Sequence, residues 1–371
     1  MKIGIDINSA IGKKAGIGYY TESLVKALAK IDQKNEYFLY TPEMVEWQLG
    51  KNFHQVIMPK KSIISKVIWF LKIFVDTQIR NSVDVFLSPN SLPIATMSFI
   101  RKNVVLSIMD IVPYKLSKTA ELRVRLLFLQ LPLALRISKE ILTISNATKQ
   151  DLLSELSVPE SKITVTHLAT HDWCFGKATT EDILRVRKLY TLPENYFLFI
   201  STLEPRKNVP NLIRAFEKFS RADTQGYKLV IGGKKGWLYD EIFHVVEEER
   251  VEEKVIFTDY IADEDLLPLY QGASVFTFVP FMEGFGLTPL EAMTCGIPVL
   301  TSNTSSLPEV VGDAAITVDP DSVDEIAAGM KRLAEDGKLR GELVKKGYNQ
   351  AKKFSWEKTA KLTLTVLTNN A

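Results

Sequence analysis

The segment Pro280-Phe281-Met282-Glu283-Gly284-Phe285-Gly286-Leu287-Thr288-Pro289-Leu290-Glu291-Ala292-Met293 sets two carboxylates around a glycine-bearing loop. It follows an apolar run and opens a helical pattern. Pro289 suits a first helical turn, with Thr288 expected as the N-cap. The glycines let backbone approach a ligand closely. The unpaired N–H groups and positive dipole end of a helix start attract an anion. Glu283, inside the loop, has no evident packing role and is expected beside whatever binds there. Glu291 has two readings: a ligand contact, or the acid of a Thr288-x-x-Glu291 capping box.

Other segments carry weaker chemistry. In Ser201-Thr202-Leu203-Glu204-Pro205-Arg206-Lys207-Asn208, Arg206 and Lys207 place two cations just after an apolar run. With a helix start they could neutralise a diphosphate without a metal; the plainer reading is a solvated basic turn before a helix Leu212–Ser220. Gly16-Ile17-Gly18 could approach a phosphate but is only a G-x-G. Asp110 follows a strand signal and suits a sugar hydroxyl or a turn. His54, His167, His171 and His244 lack ligand spacing. Asp263-x-Asp265 and Asp319-x-Asp321 read as cap and loop residues. Cys174 and Cys295 show no disulfide or zinc pattern. No Ser-His-Asp or Cys-His arrangement is evident.

Positioning these residues requires strands that end where the loops begin. Strand signals lie at Ile3–Ile7, Tyr37–Tyr40, Gln55–Met58, Val83–Leu87, Val104–Ile108, Ile141–Ser145 and Ile163–Thr166. A second series runs Phe197–Thr202, Lys228–Ile231, Val255–Thr258, Val275–Phe278, Val299–Thr301 and Ile316–Val318. Helical patterns separate them, which implies an α/β chain of two doubly wound parallel sheets. Residues 170–192 hold the expected boundary. Ligands bind beyond the carboxyl ends of such strands, so chemistry is expected in a cleft between the domains.

At 371 residues, 46% hydrophobic and 24% charged, the chain reads as folded rather than disordered. Residues 1–175 hold 22 Lys and Arg against 15 Asp and Glu, and residues 176–371 hold 24 against 29. A basic first half suggests an anionic partner. No nucleic-acid-binding motif is visible. The expectation is a cytoplasmic protein, since no leader or membrane-span pattern stands out. Lys60–Phe74 is basic, aromatic and amphipathic. One reading lays it on an anionic membrane, with Lys60, Lys61, Lys66 and Lys72 at the headgroups and Trp69 and Phe70 in the interface. The other packs Ile63, Val67, Phe70 and Phe74 into the core.

Taken together, the second half resembles glycosyltransferase family 4, the retaining GT-B enzymes. The resemblance rests on Leu203–Asn208, Gly232-Gly233-Lys234-Lys235-Gly236-Trp237, Leu266–Tyr270, the E-x7-E element Glu283 to Glu291, Thr294–Val299, Ser305–Ala315 and Phe354-Ser355-Trp356. The first half matches more loosely, at Gly16–Tyr20, Met109-Asp110 and Ser145–Thr148. The resemblance implies a GT-B fold of two Rossmann-like domains with an inter-domain cleft. Residues 1–172 would bind acceptor, 173–355 the nucleotide sugar, and a last helix, 356–371, would pack back on the first domain. It implies Glu283 at the donor sugar, Arg206 and Lys207 on the diphosphate, and Phe285, Gly286, Leu287 and Thr288 holding sugar and phosphate. Glu291 would meet the ribose, and Tyr260 and Ile261 the nucleobase. Gly16, Ile17, Gly18, Ser201 and Asp110 complete the expected site. Met109 stands where many members have His, and Ser201 where many have Gly.

The implied activity is a retaining hexosyl transfer with neither metal nor cofactor. A mannosyl group from GDP-mannose is the first donor expectation, and a cell-envelope glycan or lipid-linked sugar the acceptor. No glycosidase-type carboxylate pair is evident, which favours a front-face mechanism assisted by the leaving phosphate. A non-catalytic nucleotide-sugar-binding protein and a GT-B epimerase are the alternatives.

Overall fold

Short β-branched runs bounded by turns fold into thirteen strands in the computed structural model, which describes residues 1–12, 16–58, 63–80, 82–89, 92–115, 126 and 128–369, the side chains of 63, 64 and 66 excepted. Each expected strand is present, with ends shifted by at most a few residues. The chain divides into two units, Met1–Leu168 with Ser355–Ala371, and Ala169–Phe354.

The first unit is built on β1 (Lys2–Asp6), β2 (Glu36–Thr41), β3 (Phe53–Ile57), β4 (Val85–Pro89), β5 (Val104–Ile108), β6 (Glu140–Thr143) and β7 (Ile163–Val165). They form one parallel sheet in the order β3-β2-β1-β4-β5-β6-β7. β4 and β5 are buried along their whole length, as expected when helices cover both faces of a parallel sheet. The helices Gly16–Ile31 and Trp356–Asn369 pack together, with the Tyr20 and Trp356 rings 6.3 Å apart. Thr359 donates to the His167 carbonyl, which ties the final helix down further.

A second group, the helices Ile63–Phe74, Leu92–Met97 and Leu131–Ile137, shares a core with Phe86, Leu106 and Ile141. Here one expectation fails. Trp69 is 1% exposed and Phe70 packs against the same core, so neither is available to a lipid interface. Val67 instead points outward. The helix is apolar almost all round, so burying its largest ring inward gains most and leaves smaller side chains outside. The expectations for Lys60 and Lys61, and for the side chains of Ile63 and Lys66, fall outside the described residues.

The second unit carries β8 (Tyr196–Ile200), β9 (Lys228–Gly232), β10 (Val255–Asp259), β11 (Val275–Phe278), β12 (Val299–Ser302) and β13 (Ile316–Val318), in the parallel order β10-β9-β8-β11-β12-β13. Chain order reverses between β8 and β11, which places a ligand-binding crevice at their carboxyl ends. The helix Val209–Ser220 starts three residues earlier than expected because Pro210 suits a first turn. Its Leu212, Ile213, Phe216 and Phe219 form one buried stripe. The Phe197 ring of β8 meets Phe219 edge-on at 5.2 Å. Each such aromatic contributes roughly 1.5–3 kcal/mol by burial.

Candidate functional site

The loops after β8 and β11 are joined through main chain and one asparagine. Phe281 N–H donates to the Arg206 carbonyl at 3.0 Å. Asn208, fully buried, donates its amide to Val279 O at 2.9 Å and Pro320 O at 2.7 Å. Its φ of 59° is left-handed, a conformation Asn tolerates better than most residues. Three loops, after β8, β11 and β13, therefore meet at one side chain.

This bracing brings Arg206, Lys207 and Glu283 together. Glu283 Oε2 accepts from Lys207 Nζ at 2.5 Å and from Arg206 Nη1 at 2.9 Å. Arg206 also pairs with Glu204 through Nε. Lys207 lies over the Phe278 ring at 5.0 Å and is 6% exposed, so it is no solvated turn residue. Burial pushes the Glu283 carboxyl up, but Lys207 and Arg206 outweigh it and hold the group below the usual range. Burial depresses the Lys207 ammonium, and Glu283 restores only part of that. Glu204 goes the other way: burial raises it, and Arg206 and Lys207 do not fully compensate. Two cations are thus held in low dielectric, already committed to carboxylates. An anionic ligand reaching them shares these cations with Glu283, since the ammonium carries three N–H donors and the guanidinium five.

The Glu283 main chain is clamped as well. Ser306 Oγ lies within donating reach of Glu283 O (2.8 Å) and Phe285 O (2.7 Å), and Ser305 Oγ donates to Glu283 O at 2.6 Å. Both serines belong to the Ser305–Ala315 segment of the resemblance, but no site role was expected of either; their signal is spatial, since they follow β12.

The helix Leu287–Thr294 then begins at Gly286, not at Thr288. Gly286 has φ 106°, and a Cβ there would meet Leu307 at 2.7 Å. No side chain caps this helix, so Thr288 is not its N-cap and Glu291 closes no capping box. The reason is local: a left-handed glycine turns the chain into the helix two residues early. Leu287 and Thr288 supply first-turn N–H groups that their own helix cannot pair, while Pro289 has none.

Glu291 faces inward instead. Tyr270 donates its hydroxyl to Glu291 Oε2 at 3.2 Å, and His171 Nε2 lies 3.7 Å from Oε1. Burial pushes the Glu291 carboxyl up to about 8, with the Tyr270 hydrogen bond offsetting a little. At neutral pH it is mostly protonated, able both to donate to and accept from a hydroxyl. Neither Tyr270 nor His171 stood out as a site residue in the sequence.

The other expected residues fall as follows. Ser201 N–H donates to Gly232 O at 3.0 Å, and Gly233 (φ 135°) is pressed so close that a Cβ would sit 1.8 Å from Ser201 O. Tyr260, beyond β10, is exposed with Lys234 Nζ 4.9 Å from its ring centre, while Ile261 is buried. In the first unit, Gly16, Ile17 and Gly18 open the helix Gly16–Ile31. Asp110 accepts from Val112 N–H at 3.0 Å, and Met109 is buried with its carbonyl accepting from Thr148. Among the described residues, no three His, Cys, Asp or Glu side chains gather as metal ligands.

Residues 182–350 match the family described as glycosyl transferases group 1. The chain is 36% identical over 242 residues to an O-antigen chain mannosyltransferase B of Escherichia coli, a match covering 65% of this chain and 64% of that one. It is 31% identical over 229 residues to the serotype-specific mannosyltransferase WbdA of Escherichia coli, covering 60% of this chain but 28% of WbdA. The match thus spans under two thirds of either relative. In fold it is similar to HepE of Anabaena, solved with UDP-glucose: TM-score 0.78, 18% identity, all of both chains covered.

Proposed function

We propose, from the match of residues 182–350 to the glycosyl transferases group 1 family and from the GT-B fold, that the protein is a retaining, metal-independent glycosyltransferase. It takes a hexosyl group from a nucleotide sugar, with mannosyl from GDP-mannose the first donor to test, and the acceptor is a cell-envelope glycan or a lipid-linked sugar. The relatives named as mannosyltransferases support the mannosyl group. The observation that carries the reading is the Arg206–Lys207–Glu283 cluster at the switch point of the second sheet.

The chemistry follows from charge. As the bond from sugar C1 to the diphosphate breaks, positive charge grows on the sugar and negative charge on the leaving group. The new bond forms from an acceptor hydroxyl oxygen to C1, and the departing phosphate takes that hydroxyl's proton. Arg206 and Lys207 stabilise the leaving diphosphate, aided by the Leu287 and Thr288 N–H groups; fixed donors of this kind act without reorganising at the moment of reaction. Glu283, held ionised, faces the positive sugar. Glu291, largely protonated, binds the ribose hydroxyls.

The test is product formation from GDP-, UDP- and ADP-sugars in the presence of EDTA, with the anomeric configuration of the product read by NMR. Transfer with retained configuration in EDTA is expected. Activity that requires an added divalent ion overturns metal independence. An inverted product overturns the front-face step.

A further inference from the structure

The transfer chemistry leaves unused a cavity in the second unit. The starts of two helices, Val209–Ser220 and Asp240–Glu248, converge with the loop after β8 and with Phe281 to enclose about 150 Å³. None of Lys207, Glu283, Gly286 or Glu291 lines it, so it is separate from the proposed diphosphate and ribose contacts. The two sites share a wall. Glu204 lines the cavity and pairs with Arg206 Nε, while Phe281 lines it and donates its N–H to the Arg206 carbonyl. The volume is small beside the roughly 300–1,000 Å³ that takes a drug-sized ligand, which suits one ring rather than a nucleotide.

The walls divide by chemistry. Phe281, Leu238, Pro205 and Ile242 give an apolar side, and Glu204, Glu241, Asn211 and Arg214 a polar one. Glu204 is 4% exposed, and glutamates are seldom buried so deeply. Leu238, at the rim, is 64% exposed and held at φ 52°, a left-handed backbone that costs a leucine energy. Strain of this kind gathers at ligand clamps. Neither helix start carries a side-chain cap, so first-turn N–H groups lack partners within their own helices. These donors and Arg214 disfavour a cation, and the two glutamates disfavour an anion. A purely apolar ligand would leave the polar wall desolvated without partners. A neutral ring whose hydroxyls both donate and accept, with a C–H face to lay on Phe281, satisfies both walls. We propose that this cavity binds one pyranose residue of a glycan, apart from the transfer site, with Phe281 and Leu238 against the ring and Glu204, Glu241 and Asn211 on its hydroxyls. The ligand class follows from the cavity; that the residue belongs to the chain being extended rests on the proposed glycan acceptor.

Methyl-labelled NMR spectra of the full chain test it, because the Leu238 and Ile242 methyl groups report from the cavity itself. The probe is an α-linked mannotriose, and cyclohexanol is the control, a ring of similar size without the array of hydroxyls. Two variants accompany the wild type: Glu241→Ala, at an exposed position, and Glu241→Ala with Asn211→Ala. The expected result is saturable shifts at both reporters with a dissociation constant of about 1–10 mM, unchanged by saturating GDP. The single variant weakens binding about threefold and the double variant about tenfold, each keeping the wild-type melting temperature. Absence of saturable shifts at Leu238 and Ile242 overturns the proposal, as does wild-type affinity in both variants. Shifts abolished by GDP also overturn it, since the sugar would then occupy the nucleotide-sugar site. Equal affinity for cyclohexanol overturns the sugar assignment. Transfer from a nucleotide sugar without these shifts removes only the cavity site. Saturable shifts without transfer from any nucleotide sugar remove the proposed function and leave the cavity site standing.

Discussion

Lys207 Nζ stands 2.5 Å from Glu283 Oε2, joining the loop after one strand of the second sheet to the loop after its neighbour. The pair has a direct consequence for ligand binding, because an incoming diphosphate and Glu283 share the same ammonium. Changing Glu283 to Gln should lower kcat by about 100-fold, the scale for losing one preorganised charge contact. Affinity for the free nucleoside diphosphate should stay unchanged or rise severalfold. Calorimetry beside a product assay checks both, and a parallel fall in binding and turnover would contradict the assignment.

Removing the cation has the opposite balance. Lys207→Ala leaves Glu283 buried with Arg206 as its remaining cation among these pairs. Breaking a buried pair by deleting one partner costs about 3–5 kcal/mol, and partial exposure of Glu283 places this case at the lower end. Urea melts should show that loss, and nucleoside diphosphate binding should weaken with it. Lys207→Ala combined with Glu283→Gln should recover part of the stability and none of the activity.

Glu291 predicts a pH dependence. Its carboxyl is raised from an ordinary 4.5 to about 8 in the folded protein. Between those values the folded state binds more protons than the unfolded state, so stability is fully present below the lower value and lost as pH rises through the upper one. The unliganded protein should melt several degrees lower above that window than near its acid end. Glu291→Gln should flatten that slope, as read by melts across pH, and an unchanged slope would mean another group sets it.

Asn208 is the junction of three loops. Asn208→Ala forfeits both amide hydrogen bonds and leaves Val279 O and Pro320 O without this donor, for about 2–4 kcal/mol in all. Asn208→Gly should lose less, because glycine accepts the left-handed backbone without strain. Equal losses in urea melts would show that the backbone conformation plays no part.

Much of this was legible before folding. The strands read out because a parallel sheet buried on both faces needs short continuous apolar runs. The chemistry-bearing loops read out because they follow those runs. What stayed hidden depended on residues far apart in sequence. Tyr270 and His171 reach Glu291 from two other segments, so no local spacing announced them. The membrane reading of Trp69 arises because the helix around it has too little polar contrast to mark its inner face. The helix start at Gly286 was missed because Thr288 and Glu291 satisfy a capping pattern, and only the φ of 106° decides against it.

The first unit closes with the helix Trp356–Asn369, packed on Gly16–Ile31, although everything from Ala169 to Phe354 lies between them in the chain. A ribosome adding about 5–20 residues per second needs roughly 10–40 s to cross that interval. Throughout it the nascent first unit shows water the flank where Trp356 will meet Tyr20. The first unit is therefore completed only after the second has been synthesised, and until then this flank stays open to water.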